Sequence, residues 1–173
     1  MASAAKNLSK YDENNIPGVG EGKFGIVVAE WNPHITHVLY EGCYDTLIKH
    51  GALEENIFSM QVPGSFELTA GARILSSQHP VDVIICLGCV IKGETNHDEY
   101  INNAVAIGLT TLSASTGKPH IFGLLTVDNE QQALDRAGGK HGNKGVEAAV
   151  TAIRMAHLKK NPVSGKEKRK IGF

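Results

Sequence analysis

The sequence has 173 residues, 42% of them hydrophobic and 20% charged, and a formal net charge of −1, which is typical of one ordinary domain with its own core. It contains no apolar run long enough to cross a membrane, no apolar segment of a secretory signal in residues 1–15, and only three cysteines, too few and of the wrong parity for a disulfide framework. We therefore expect a soluble cytoplasmic protein without a membrane partner.

The charge is unevenly distributed along the chain. Residues 159–173 carry six Lys or Arg and one Glu, so this segment has a formal charge of +5 and the remainder −6. A basic segment can contact nucleic acid, but the body is acidic and no aromatic residue lies among these basic ones before Phe173. We predict a solvated tail at 159–173, a folded domain at 22–158, an N-terminal arm at 1–21 and no nucleic-acid partner.

Four apolar runs predict four β-strands, and residues at helical spacing follow each of them. The predicted strands are Phe24–Trp31, Asn56–Val62, Asp82–Ile91 and His120–Val127. Gly51, Pro80 and Gly117 should stop the first three helices; a short helix is predicted at Glu130–Ala137, and a last helix near Val146. Nearly continuous apolar strands that alternate with helices indicate an α/β fold, a flavodoxin-like three-layer α/β/α sandwich around a four-stranded parallel sheet.

Ligands of such sheets bind beyond the carboxyl ends of the strands, where polar and aromatic residues follow here. The four segments are Trp31-Asn32, Pro63–Glu67, Gly93–His97 and Asp128-Asn129. Together they provide an aromatic surface, a carboxylate, hydroxyls, a histidine and backbone N–H groups at helix starts. Trp31 could stack on a heterocycle, although a lone tryptophan is more often part of a core or an interface.

The segment Gly93–His97 has two interpretations. Its backbone N–H groups ahead of a helix could bind an anion, or Thr95 or Asn96 could merely cap that helix. His97 could carry a proton, or it could be an ordinary surface histidine. No Gly-rich nucleotide fingerprint is present, so mononucleotide or dinucleotide binding by such loops is not supported.

The glycine-rich segment 138–145 also has two interpretations. It contains Lys140 and Lys144 and follows Arg136, so it offers three cations and a flexible backbone that suit a phosphate. Equally, it could be a plain connection between helices, with a glycine at the end of one helix and Asn143 capping the next.

Two apparent metal motifs are rejected. Cys86 and Cys89 have C-x-x-C spacing, but in a strand they would point to opposite faces of the sheet. His34 and His37 could share a helix face, yet no further ligand accompanies them. We expect no metal.

Three linked motifs carry a resemblance to a known family. VPGSFEL, LGCVIKGETNHDEY and FGLLTVDNEQQALDRAGGKHGNKGVEAA occur in order, and the chain resembles the lumazine synthase family from about Gly22 to Leu158. The resemblance implies condensation of 5-amino-6-(D-ribitylamino)uracil with 3,4-dihydroxy-2-butanone 4-phosphate to 6,7-dimethyl-8-ribityllumazine, with no cofactor. It further implies pentamers with sites between neighbours. The short glycine-rich turn is typical of members that form 60-subunit shells, and we expect such a shell here.

The resemblance also assigns roles to residues. It implies substrate binding by Trp31, Ser65, Phe66, Glu67, Cys89, Val90, Ile91 and Phe122. It implies phosphate binding by Glu94, Thr95, Arg136 and Lys144, and proton transfer by His97. Trp31 stands where the family often has Phe, and Glu94 where a small residue is common; an acid there suits only a backbone contact. The competing hypotheses are a non-catalytic lumazine- or riboflavin-binding relative and a shell-forming container.

Overall fold

A computed structural model of the chain describes residue 7 and residues 9–161, and its centre is a four-stranded parallel sheet. The strands are β1 (Phe24–Ala29), β2 (Ile57–Val62), β3 (Val83–Ile91) and β4 (His120–Val127). Their order is β2-β1-β3-β4, so β3 lies inside the sheet, and its first eight residues are buried. The four predicted strands and their parallel arrangement are therefore confirmed.

Five α-helices accompany the sheet within residues 9–161. They are α1 (Pro33–Lys49), α2 (Leu68–Gln78), α3 (His97–Thr116), α4 (Glu130–Arg136) and α5 (Lys144–Lys160). Side chains of α1 and α5 form one core with one face of the sheet, and side chains of α2 and α3 form a second core with the other face. The predicted three-layer α/β/α sandwich is thus observed.

The two sulfurs of the C-x-x-C sequence lie in different cores. Cys89 belongs to the core under α1 and α5, and Cys86 to the core under α2 and α3. Both are buried as free thiols. The prediction that they face opposite sides of the sheet is therefore confirmed.

The end of β1 differs from the prediction, which extended the strand to Trp31. The strand stops at Ala29, although the N–H of Glu30 still donates to the carbonyl of Val62 on β2 at 2.8 Å. Asn32 then takes a left-handed backbone conformation with φ 60° and ψ 54°, which turns the chain into α1. This turn removes Trp31 from the sheet.

The glycine-rich segment forms a small antiparallel hairpin that was not predicted. Its strands are β5 (Ala137–Gly139) and β6 (Gly142–Asn143). Gly138 and Gly142 have φ of 106° and 83°, a region that side chains disfavour. Asn143 caps α5, because its side chain accepts a hydrogen bond from the N–H of Gly145 at 2.7 Å, so the predicted Asn cap is confirmed.

The two ends of the described chain pack against the domain. In the lead-in, Tyr11 bonds to His50 at 3.0 Å. At the other end α5 continues to Lys160, which pairs with Asp82 at 2.8 Å, so the first two residues of the predicted tail are helical. Residues 162–173 of that tail lie outside the described residues. No helix in the described part of the chain is long and apolar enough to span a membrane.

Candidate active site

A cleft of about 540 Å³ opens at the carboxyl ends of β1, β2 and β3. It lies at the edge of the sheet where the sequence predicts a ligand site. The following residues line it: Trp31, Asn32, Gly64, Ser65, Phe66, Glu67, Cys89, Val90, Ile91, Gly93, Thr95, His97, Asp98 and Ile101.

Two exposed aromatic side chains line the cleft. Trp31 comes directly before the left-handed turn at Asn32, and 72% of its surface is exposed. Phe66 on the opposite segment is 59% exposed. Large apolar side chains left this open, in a concave place, are typical of a surface that binds a ligand or a partner.

The segment after β2 provides polar groups. Ser65–Glu67 form one 3-10 turn that leads into α2. Ser65 is 6% exposed, and its hydroxyl has no hydrogen-bond partner among the described residues. Gly64 precedes the turn, and a Cβ there would lie 3.0 Å from the Glu67 carboxylate. The Glu67 carboxylate therefore lies over Gly64, and both residues line the cleft.

The end of β3 exposes peptide groups to the cleft. Its register with β1 ends at Val28↔Leu87, but its register with β4 continues to Ile91↔Val127. The N–H of Lys92 donates to Val127 on the β4 side at 2.8 Å. Because the backbone groups of alternate strand residues point to opposite neighbours, the N–H and C=O of Ile91 point to the other side, toward the cleft.

The start of α3 lacks the side-chain cap that the sequence offered as one interpretation. Asn96 is the N-cap residue, but its side chain makes no capping hydrogen bond. No hydrogen bond of the Thr95 side chain is found among the described residues either, so the first N–H groups of a helix of 20 residues have no side-chain cap. Such groups and the helix dipole attract anions. His97 is the first helical residue and is exposed beside them.

Four residues that the resemblance assigns to the site do not line this cleft. Glu94 is exposed on the turn beside it. Phe122, on β4, lines a separate shallow depression of about 290 Å³ with Leu109 and His120. The other two, Arg136 and Lys144, flank the β5–β6 hairpin.

The carboxylate of Glu147 on α5 holds the two cations that flank the hairpin. Arg136 Nη1 lies 2.8 Å from Glu147 Oε1 and donates to the carbonyl of His141 at 2.9 Å. Lys144 Nζ lies 3.5 Å from Glu147 Oε2. Arg136 and Glu147 are each 17% exposed at the side chain, so the pair is largely shielded from water.

The cysteines are poor candidates for nucleophiles. Burial raises the pKa of the Cys89 thiol, at the edge of the cleft, to about 11, and that of Cys86 to about 12. Burial raises the pKa of Cys43 further still. Since the thiolate is the reactive form, none of the three is activated at neutral pH. Within residue 7 and residues 9–161, no three His, Cys, Asp or Glu side chains cluster as metal ligands.

Five residues that line the cleft were not assigned to the site from the sequence: Asn32, Gly64, Gly93, Asp98 and Ile101. Asn32, Gly64 and Gly93 belong to segments that were predicted to lie at the strand ends, so that rule could have included them. Asp98 lines the cleft one position after His97, and its buried Oδ1 has no hydrogen-bond partner among the residues that the structure describes.

Comparison with known proteins gives the family. The family model described as 6,7-dimethyl-8-ribityllumazine synthase matches residues 21–160, most of the chain. The chain belongs to the lumazine synthase family. A 6,7-dimethyl-8-ribityllumazine synthase of Cytophaga hutchinsonii is 57% identical over 155 residues, which cover 90% of this chain and 97% of the relative.

Two further lumazine synthases extend the similarity. The enzyme of Parabacteroides distasonis is 54% identical over 158 residues, or 91% of this chain and 99% of the relative. That of Flavobacterium psychrophilum is 51% identical over 173 residues, or 100% of this chain and 88% of the relative. The resemblance seen in the sequence motifs is therefore confirmed at the level of the family.

Proposed function

We propose that the chain is a transferase that condenses 5-amino-6-(D-ribitylamino)uracil with 3,4-dihydroxy-2-butanone 4-phosphate. The product is 6,7-dimethyl-8-ribityllumazine, and phosphate and water are released; this is the penultimate step of riboflavin biosynthesis. The observation that carries the proposal is one cleft in which an exposed Trp31, the free peptide edge of β3 and the uncapped start of α3 beside His97 face a common space. We place the reaction in the cytoplasm.

The aminouracil ring is expected to bind between Trp31 and the end of β3. An indole offers a large flat surface for a heterocycle. The N–H and C=O of Ile91 point into the cleft and form a donor and an acceptor side by side, which complements the imide edge of a pyrimidinedione. The ribityl hydroxyls are expected to bond to Ser65, to the backbone of Phe66 and to the carboxylate of Glu67.

The butanone phosphate is expected to bind at the start of α3. Thr95 and the first N–H groups of that helix would hold its phosphate through an anion–dipole interaction. Glu94 contributes only its backbone in this arrangement. The second substrate is thereby placed next to His97.

His97 is the proposed general acid and base. An amine of the uracil attacks the ketone of the second substrate and water leaves to form an imine. Phosphate is then eliminated, and the second amine attacks the remaining carbonyl, from which a second water leaves as the ring closes. Each step moves a proton near neutral pH, which an imidazole can donate and accept. Holding two reactants in register supplies much of the remaining acceleration.

The site is proposed to be completed by a neighbouring copy of the chain. Phe122, Arg136 and Lys144 are absent from the cleft lining of their own chain, but each offers the surface or charge that this chemistry needs. We propose that these three residues of one chain meet the cleft of the next chain in a pentamer. The short β5–β6 turn supports closure of pentamers into a 60-subunit shell.

The first experiment is an assay with both substrates, which follows lumazine formation by absorbance and fluorescence against a protein-free control. We expect a rate proportional to protein and well above the control. His97→Ala should lower turnover by roughly 10- to 10⁴-fold. His37→Ala is the matched control, because His37 is exposed on α1 and does not line the cleft, so its rate should be unchanged. A wild-type rate equal to the control would contradict the proposed activity.

Mixed oligomers test whether the site is shared. His97→Ala and Arg136→Ala chains, unfolded and refolded together in equal amounts, should be more active than either preparation alone at a butanone phosphate concentration well below the KM of Arg136→Ala. The reason is that about one quarter of random neighbour pairs combine an intact His97 with an intact Arg136. A site within one chain would give only the average of the two separate preparations. Size-exclusion chromatography of the mixture, with a mixture of two His97→Ala preparations as control, separates failed assembly from failed sharing.

A further inference from the structure

Asn32 has the least ordinary backbone in the described part of the chain. It is the one residue there, glycine aside, with a positive φ. Asparagine tolerates this left-handed conformation better than most residues. The conformation places Trp31 on the cleft side of the turn and Asn32 itself in the cleft lining.

The main chain and the side chain of Asn32 have separate partners. Its carbonyl accepts hydrogen bonds from the N–H groups of Ile35 and Thr36, at 2.9 and 3.0 Å, and so begins α1. Its side chain does not cap α1, the usual role of an asparagine at this position. Instead, Nδ2 donates to the carbonyl of Cys89 on β3 at 3.1 Å.

This hydrogen bond lies at a position where β3 no longer pairs with β1. The register between β1 and β3 ends two residues before Cys89. The amide of Asn32 therefore takes the place of a peptide group that β1 no longer supplies. The backbone groups of Ile91 point to the same side of β3 as the Cys89 carbonyl. The hydrogen bond at Cys89 therefore directly precedes the N–H and C=O of Ile91 that face the cleft.

We propose that Asn32 is a positioning residue for the aminouracil, a role that rests on the proposed function. It joins the turn that carries Trp31 to the end of β3 that carries the Ile91 peptide groups. The spacing between the stacking surface and the hydrogen-bonding edge is thereby fixed before the ring binds. Asn32 acts through these two elements, and its donor is already used by Cys89.

Two variants test this role without changing the backbone requirement. Asn32→Gly keeps the left-handed turn and removes the bond, and Asn32→Asp keeps the size but puts an acceptor oxygen against the Cys89 carbonyl. Trp31 is the only tryptophan, so its fluorescence reports binding of the aminouracil in the absence of the second substrate. The dissociation constant should rise roughly 3- to 10-fold in Asn32→Gly and roughly tenfold or more in Asn32→Asp.

The control and the KM values make the result specific. Asn14→Asp introduces the same charge at an exposed position in the lead-in and should leave binding unchanged. In the variants at Asn32, KM for the aminouracil should rise while KM for the butanone phosphate stays within about twofold. Circular dichroism checks that each variant is folded. If Asn32→Asp does not fold, the binding measured for Asn32→Gly alone tests the positioning role.

The outcomes separate the inference from the proposed function. Aminouracil binding within about twofold of wild type in a folded Asn32→Gly would overturn the positioning role, as would equal rises in both KM values. If the wild-type chain neither binds the aminouracil nor forms lumazine, the proposed function itself fails. Normal wild-type binding and turnover with unaffected variants would overturn the inference alone.

Discussion

Replacing Arg136 by alanine should weaken the binding of the butanone phosphate far more than the binding of the aminouracil. Arg136 uses a single nitrogen, Nη1, for both of its contacts, with Glu147 and with the carbonyl of His141. Its Nη2 and Nε make no hydrogen bond to any residue that the structure describes. One edge of the guanidinium is thus held in place while the other remains available for a phosphate.

The size of the effect follows from these contacts. A hydrogen bond to a charged group contributes about 1.5–3 kcal/mol, which corresponds to a rise of roughly 10- to 160-fold in KM for the phosphate substrate. The carboxylate of Glu147 keeps Lys144 as a partner at 3.5 Å, so the variant should still fold. Arg136→Lys retains the charge but not the planar fork, so its KM should lie between wild type and Arg136→Ala.

The assay varies the butanone phosphate at saturating aminouracil and subtracts the protein-free rate. Lys140→Ala is the matched control: Lys140 lies on the same hairpin, but its side chain is 66% exposed and pairs with Asp135 at 2.9 Å. Its KM should match wild type. A KM for the phosphate substrate in Arg136→Ala within about twofold of wild type would refute the reasoning, and so would an equal rise in both KM values.

Two further predictions concern stability and reactivity. All three cysteines are buried, so at about pH 8 a thiol reagent should modify none of them in the folded protein and all of them after denaturation; rapid modification of the native protein would contradict this. Partial burial would raise the pKa of Asp82, but hydrogen bonds from Lys160 and the Lys23 N–H outweigh it and hold that pKa below its ordinary value of 3.8. Asp82→Asn should therefore lower stability by about 0.5–1 kcal/mol at neutral pH. This difference should be lost as the pH falls below 3.8 through the lower pKa of the folded state. Urea unfolding of both proteins at several pH values measures it, and a difference in stability that persists in acid would contradict the prediction.

The two inner strands were predictable because burial on both faces leaves a local signature: β1 is buried at all six residues and β3 along eight of its nine. The edge strand β2 is fully buried only at Val62 and was predicted from its apolar residues alone. The end of β1 was not predictable in this way, because Trp31 closely follows the apolar run. The left-handed turn at Asn32, whose side chain bonds to β3 57 residues away, has no local apolar pattern. The β5–β6 hairpin was missed for a related reason: its strands of three and two residues are too short to show any periodicity.

The candidate site could be predicted only as far as a single chain contains it. Strand-end reasoning placed Trp31, the Ser65–Glu67 turn and His97 on one edge, and the structure brings them to one cleft. The assignments of Phe122 and Arg136 stay predictions, because one chain cannot show what a second copy brings to its cleft. No pattern in the sequence distinguishes a residue that serves its own cleft from one that serves a neighbour's.

The contact between the lead-in and the β5–β6 hairpin has a consequence for the order of folding. The N–H of Asn143 donates to Ser9 Oγ at 2.7 Å, across 134 positions of the chain. During synthesis the segment before β1 therefore cannot dock until Asn143, and with it almost the whole domain, has been synthesised. Contacts between such distant positions form late, because closing the long loop has a large entropic cost. Refolding should thus organise the β1–α1–β2 unit early, and attachment of the lead-in should be among its last events.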